Sequence, residues 1–263
     1  MQLTNENYFR SPAMTYYWSV SQFKEFNKCE AMGLASVQGD FGREPSESML
    51  VGSYVDAHFS NEFPEFLKEH PDMFNKRTGE LKAAFRKAED VIERISASQL
   101  MMDYLEGEKQ VIKTAELFGV PWKIKMDIYH PERIVDLKVV KDMGDIWDEA
   151  DGSKKDFIDY WGYDIQGAVY QKVEQLASGR TEPLPFYLAV ATKEKVTDIA
   201  VIQIPQHILN MALSIVEAKI DRFDMIKTGQ VAPIRCEHCD YCKETKVLTK
   251  PTIYQTREEK EYD

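Results

Sequence analysis

Long apolar runs are missing from this sequence: none approaches the roughly 18 residues that a membrane span needs. The opening stretch MQLTNENYFR has no basic segment leading into an apolar one, so no secretory leader is expected. Positive charge is in deficit, with 33 Lys and Arg against 44 Asp and Glu and a net charge of −11. Adhesion to nucleic acid through global positive charge is thereby excluded, and any DNA binding requires a local basic lining. There is no internal repeat, no low-complexity linker and no Gly-rich strand–helix turn of the kind that nicotinamide or flavin cofactors need. Cysteine is scarce, four residues in 263. What is present is 43% hydrophobic and 11% aromatic residues, enough for a real core and too much for wholesale disorder. A soluble intracellular protein is the expectation.

Periodicity orders the chain. Ser19 opens a capped helix with an apolar stripe of Phe23, Phe26 and Met32. Further helices are predicted over 46–59 and 80–105. The period then shortens to that of strands over 109–117, 122–129 and 133–140, separated by Gly119 and His130-Pro131. A polar loop over 142–156 leads to a helix over 157–177, closed by Ser178-Gly179. Strands over 186–191 and 198–204 follow, then a long helix from Pro205 to Thr228 with Gly229 as its stop. A meander followed by a crossover helix predicts a mixed sheet in one α/β domain. The cysteine segment and a charged tail, Thr256 to Asp263, are appended to it.

The sharpest local feature runs from Lys123 to Lys138. If Pro131 and Glu132 turn a tight hairpin, His130 faces Arg133 and Asp127 faces Asp136. Opposed residues have β-carbons only about 5 Å apart, where like charges repel, so two facing carboxylates invite a cation. Alternation puts Lys138 on the face of Asp136, and Val135, Leu137 and Val139 on the other. Two carboxylates and a lysine on one face suit a hydrolytic site for phosphodiesters, with hard oxygen ligands for Mg²⁺ or Mn²⁺. The competing reading is a solvated strand. Lys123 and Lys125, on the face of Asp127, would guide a phosphate backbone. His58, four residues after Tyr54 and eight after Leu50, falls on the inward face of its helix, where an imidazole needs a partner. Gln166 and Tyr170 share a helical face, where either Tyr170 packs with Trp161 and Val169, or the amide and phenol contact DNA or support the catalytic site. Glu116 is a candidate auxiliary acid.

Asp127 followed by Asp136-Leu137-Lys138 resembles the PD-(D/E)XK nuclease signature. Gly52-Ser-Tyr-Val-Asp-Ala-His58 resembles the helix that supplies a metal-binding histidine, and Gln166-Gly-Ala-Val-Tyr170 the Q-x-x-x-Y element. Ser19-Val-Ser-Gln-Phe-Lys-Glu-Phe-Asn-Lys-Cys29 resembles the opening helix of the branch containing RecB-type nucleases, phage recombination exonucleases and the RecE-like exodeoxyribonuclease domain. The literal Pro-Asp start is absent, since Met126 precedes Asp127. The resemblance spans about Ser19 to Cys242. It implies a restriction-endonuclease-like mixed β-sheet core flanked by helices over 1–230. It also implies a metal held by His58, Asp127, Asp136 and the backbone carbonyl of Leu137, with Lys138 assisting the attacking water. The implied activity is a Mg²⁺- or Mn²⁺-dependent exonuclease on linear double-stranded DNA in phage or prophage recombination. A single-strand-annealing protein is the implied partner, a ring-shaped homo-oligomer the implied assembly, and the cytoplasm of a bacterium the implied location.

Cys236-Glu-His-Cys239-Asp-Tyr-Cys242 is C-x2-C-x2-C. Zinc usually takes thiolates as separated pairs, and three at this spacing look more like a run feeding a 4Fe–4S cluster. Cys29 is the only cysteine left as a fourth ligand. The layout resembles the iron–sulfur subgroup of RecB-type nucleases, in which a tail over 231–263 packs back on the N-terminal helix through Cys29. Zinc through the three cysteines plus Cys29 or His238 is the alternative, and four free thiols the plain one. Against the nuclease reading stands a non-catalytic module of the same fold that binds DNA or a partner. An iron–sulfur redox protein is a weaker third.

Overall fold

Caps and glycines decide where the helices of this chain start and stop. The computed structural model describes residues 2–42, 44–149, 152–251 and 253. A short α1 (Ala13–Tyr16) precedes α2 (Val20–Lys28), whose start is capped by the Ser19 hydroxyl accepting from the Gln22 N–H at 3.4 Å. The single opening helix expected from the sequence breaks at Cys29, where the backbone is extended, and restarts as α3 (Glu30–Gln38). Ser46 caps α4 (Glu47–Phe59). An unanticipated α5 (Phe63–Glu69) and a 3₁₀ turn over Pro71–Met73 come next. The helix predicted over 80–105 is two, α6 (Ala83–Ser96) and α7 (Gln99–Tyr104), because the Ser98 hydroxyl caps a new start.

β1 (Glu108–Leu117) and β2 (Val120–His130) are joined at Phe118-Gly119, both at positive φ, the backbone that two-residue hairpins require. β3 (Arg133–Val140) follows after Pro131-Glu132. The expected register is present in three pairs, His130–Arg133, Tyr129–Ile134 and Ile128–Val135. The stretch 142–156 holds a small antiparallel hairpin of β4 (Ile146–Asp148) and β5 (Ser153–Lys155), where a loop had been expected. The helix predicted over 157–177 is split into α8 (Phe157–Trp161) and α9 (Tyr163–Ser178) by Gly162, which sits at φ +61°. β6 (Phe186–Thr192), β7 (Ile199–Gln203), α10 (Gln206–Lys227) and α11 (Asp240–Glu244) complete the order. The charged stretch Thr256–Asp263 lies outside the described residues.

The main sheet has the order β1-β2-β3-β6-β7. β3 and β6 are parallel and the other neighbours antiparallel. The parallel pair is bridged by α8 and α9, the helical crossover that such a pair demands. Both faces are covered. On one, Phe23, Trp122, Met126, Val169, Phe186 and Val216 form a core under α2, α9 and α10. On the other, Val51, Val55, Phe85, Ile128, Val135 and Leu137 form a second core under α4 and α6. Gly167 lets α9 approach closely, since a β-carbon there would stand 2.6 Å from the Phe186 ring and 2.9 Å from Leu209. No helix among the described residues is long and apolar enough to cross a membrane.

One irregularity positions the site. Met126 belongs to the first core and Ile128 to the second, although residues two apart in a strand share a face. The strand turns over at Asp127. The three β2–β3 pairs end at Ile128–Val135. Trp18 then takes the edge that β2 exposes, donating to the Pro121 carbonyl at 2.7 Å and accepting from the Lys123 N–H at 2.8 Å. Across the other ladder, opposite Asp127, Gln110 sits at φ +54°, a left-handed backbone costly for a residue with a β-carbon.

Candidate active site

Where β2 parts from β3, side chains from both cores meet. Asp127 Oδ2 accepts the Leu137 N–H at 3.0 Å, so a carboxylate replaces the missing backbone pair. Asp136 is only 1% exposed. Its Oδ1 accepts from Gln166 Nε2 at 2.6 Å, and its Oδ2 faces Lys138 Nζ at 2.6 Å. That Oδ2 is nonetheless a buried oxygen without a well-aligned hydrogen bond. The Lys138 ammonium lies 5.2 Å from the centre of the Tyr163 ring. Alternation thus places Asp136 and Lys138 together as the sequence predicts, and the bond to the Leu137 N–H, one step past the last β2–β3 pair, brings Asp127 alongside.

The electrostatics are those of crowded acids. Burial, then Asp136 and Asp56, push the Asp127 carboxyl well above the usual carboxylate range, against the pull of Lys138 and the Leu137 N–H. Burial and Asp136 raise Asp56 to about 6, with Lys138 and Lys125 opposing. Burial disfavours the charge on Lys138, but Asp136 and Asp127 outweigh it and hold the ammonium above lysine's ordinary range. Lys138 is therefore a cation here and not a free base. Burial, then Tyr8, Asp136 and Asp127, raise the Tyr170 phenol, while its hydrogen bond with Gln166 works the other way. The Gln166 amide thus links Asp136 to Tyr170, whose ring also packs edge-on against Phe186 at 6.4 Å.

Several expected participants lie elsewhere. His58 is exposed in the last turn of α4, with its ring against Phe59 and Phe63 at 4.9 and 5.4 Å. Helical spacing names a face, but at the end of the helix that face meets the aromatic side chains of the next turn and α5 instead of the sheet. The acid two residues earlier, Asp56, is the α4 residue coupled to Asp127 and Asp136. Gln110 Nε2 lies 3.4 Å from Asp56 Oδ2, so the strained residue contacts the acid that sequence reasoning overlooked. The signal available was an acid set between the buried Val55 and Ala57. Glu116 is exposed opposite Pro121, at the far end of the β1–β2 hairpin from Asp127. Lys123 does not line a phosphate path. It is fully buried, donates to the Tyr8 carbonyl, lies 4.4 Å from the Tyr8 ring, and is pulled by burial to about 8. Trp161 is exposed and is not the partner of Tyr170. The cations that do sense the acids are Lys125, Lys109 and Lys24. Lys24, pulled to about 8 by burial and by Lys138, donates to the Trp161 carbonyl at 2.9 Å.

A divalent ion fits this donor set. Asp56, Asp127 and Asp136 offer hard oxygens of one sign, their mutual repulsion is what a cation relieves, and the buried Asp136 Oδ2 is met by the Lys138 ammonium alone. The acids are less tightly gathered than the thiols. Among the described residues, only Cys29, Cys236, Cys239 and Cys242 form a group of three or more ligating residues with every ligand atom within 4.8 Å of the others. Cys29 thus joins the C-terminal three, whereas His238 is exposed and its Nδ1 lies 2.6 Å from the Cys236 carbonyl oxygen.

Comparison with known proteins identifies the family of the fold. The model of the family DUF3799, described as a PDDEXK-like domain of unknown function, matches residues 19–245. A crystal structure of a protein from Eubacterium rectale, described as a "putative exonuclease", superposes with a TM-score of 0.90 at 45% identity. The match covers 96% of this chain and 97% of that one. Among curated proteins nothing matches.

Proposed function

Because the chain belongs to the PDDEXK-like family DUF3799, whose fold supports a nuclease-type function, we propose that it is a Mg²⁺- or Mn²⁺-dependent deoxyribonuclease that degrades linear double-stranded DNA from its ends. The observation that carries this reading is the convergence of Asp127, Asp136 and Lys138 at the point where β2 and β3 separate. Asp127, Asp136 and Asp56 would hold the ion, with the backbone carbonyl of Leu137 as the further ligand that the resemblance implies. The ion supplies Lewis-acid polarisation of the phosphate and a nucleophile at neutral pH.

The chain's own residues do the rest. Gln166 fixes the rotamer of Asp136 through Oδ1, and Oδ2, paired with Lys138 Nζ at 2.6 Å, would be shared with the ion. Lys138 stays protonated, so it donates hydrogen bonds: to the attacking water, which it orients, or to the phosphate oxygens as charge builds on them. Tyr170 steadies Gln166 from behind. Lys125 and Lys109, beside the acids, offer local positive charge to a phosphate backbone in a chain of net charge −11.

The test is release of nucleotides from linear duplex DNA, with a covalently closed circle as control. Mg²⁺-dependent release from the linear form, lost in Asp127→Ala and Lys138→Ala, is the expected result. Unchanged activity in those variants removes the catalytic assignment, and cleavage of the circle removes the end requirement. We further propose, on the resemblance, that the enzyme acts in phage-type recombination beside a single-strand-annealing protein. Co-purification with such a protein encoded next to it checks that step.

A further inference from the structure

We propose that Cys29, Cys236, Cys239 and Cys242 hold a single zinc ion, and not the 4Fe–4S cluster that the resemblance implies. Sulfur spacing distinguishes the two. The four sulfurs all lie within 4.8 Å of one another. Cys29 and Cys242 are 3.6 Å apart, and Cys236 and Cys242 3.9 Å. A tetrahedral zinc about 2.3 Å from each thiolate sets the sulfurs a little under 4 Å apart. A 4Fe–4S cube binds each thiolate to a different iron, so the iron–iron spacing is added and the sulfurs stand well clear of one another. The observed separations match the one-ion arrangement.

The surrounding chain holds the sulfurs at that spacing. Cys29 sits in extended backbone between α2 and α3, its N–H bonded to the Glu25 carbonyl at 2.9 Å. On the next turn, the Ala31 N–H reaches the Ile234 carbonyl at 3.2 Å, and the Ile234 N–H reaches Glu30 Oε2 at 2.7 Å. Arg235 donates to the Cys242 carbonyl at 2.7 Å. These bonds tie the flank of Cys29 to the flanks of Cys236 and Cys242, and spreading the sulfurs around a cube would break them. The backbone also provides for thiolates: the Cys239 N–H points at Cys236 Sγ at 3.3 Å and the Cys242 N–H at Cys239 Sγ at 3.4 Å. Each such donor offsets part of the negative charge that four sulfurs gather. The zinc would be a structural staple joining the opening helices to the end of the fold. The inference is independent of the nuclease reading.

The full-length protein, expressed with both iron and zinc supplied and purified without oxygen, is analysed for metals, acid-labile sulfide and visible absorption. About one zinc per chain, no sulfide and a colourless solution are expected. Exchange of that zinc for cobalt should give the visible bands of a tetrahedral thiolate site. A brown protein with about four irons and four sulfides overturns the inference, as does a single iron without sulfide or a chain free of metal. Zinc content should be unchanged in His238→Ala, and its loss there would overturn the four-thiolate ligand set.

Discussion

Asp127 stands where the β2–β3 ladder lapses and where the strand opposite is strained, and its role follows from that position. Its carboxylate takes the Leu137 N–H that a backbone carbonyl would otherwise accept. Substitution by Ala removes that bond and, on the proposed reading, one ion ligand together, so activity should fall at least 10²–10³-fold, roughly the worth of a single charge-stabilising group. Gln166→Ala should cost about 10–100-fold, because it frees Asp136 to rotate without removing it, and added metal should restore part of the loss. The pair Asp56→Asn and His58→Ala separates structure from spacing. The first should weaken Mn²⁺ binding and activity, measured by titration and by nucleotide release. The second should leave both near the parent, and a reversed outcome would return the ligand role to the histidine.

Acidity at the residue scale also predicts a pH dependence. Asp56 titrates near 6 when folded, above its ordinary value near 3.8. At this group the folded chain therefore holds more proton than the unfolded chain between those values, so its contribution to stability without metal should fall as pH rises from about 4 to about 6. A divalent ion binds the ionised acids, so its stabilising effect should grow over the same interval. Thermal unfolding with and without Mn²⁺ at several pH values reads this directly. A metal-induced shift that is flat or declining over that interval would remove Asp56 from the ligand set.

At the scale of elements, α9 carries both a support for the site and its own closest packing contact. Gly167, next to Gln166, lies against Phe186 and Leu209 with no room for a methyl group. Gly167→Ala should destabilise the protein by about 1–3 kcal/mol, seen as a lowered Tm, and should shift Gln166 off Asp136 with loss of activity. Gly162 works differently. It is at φ +61° and faces the Lys24 stem, so the α8–α9 break needs a residue without a β-carbon. The periodicity over 157–177 is helical throughout, and only this backbone reversal divides it. The division at Ser98 has the same character, since a capping serine is as readily read as a surface residue inside one helix.

At the scale of the whole molecule, a chain of net charge −11 carries a few lysines beside the acids of the candidate site. Lys125 and Lys109 lie near acids that a bound cation would neutralise. Replacing both with Ala should weaken DNA binding about equally for all sequences, and should lower the salt dependence by roughly one counterion per lysine. The same scale explains what went unread. Lys123 alternates with Asp127 as any strand residue would, yet the segment before α1 folds over it and the Tyr8 carbonyl accepts its hydrogen bond. Nothing within β2 announces that cover.

The sequence by itself determined the strand order of the central hairpin, its register at the turn, the pairing of Asp136 with Lys138 and the helix that bears Gln166 and Tyr170. Each of these follows from short-range rules of alternation, capping and turn chemistry, which act between near neighbours along the chain. Tertiary structure decided the rest: that β2 turns over at Asp127, that Asp56 and not His58 faces the acids, and that Lys123 is sealed in. Those outcomes depend on which surfaces two separate cores leave open where they meet. Packing between distant segments sets that, and periodicity within any one segment carries no record of it.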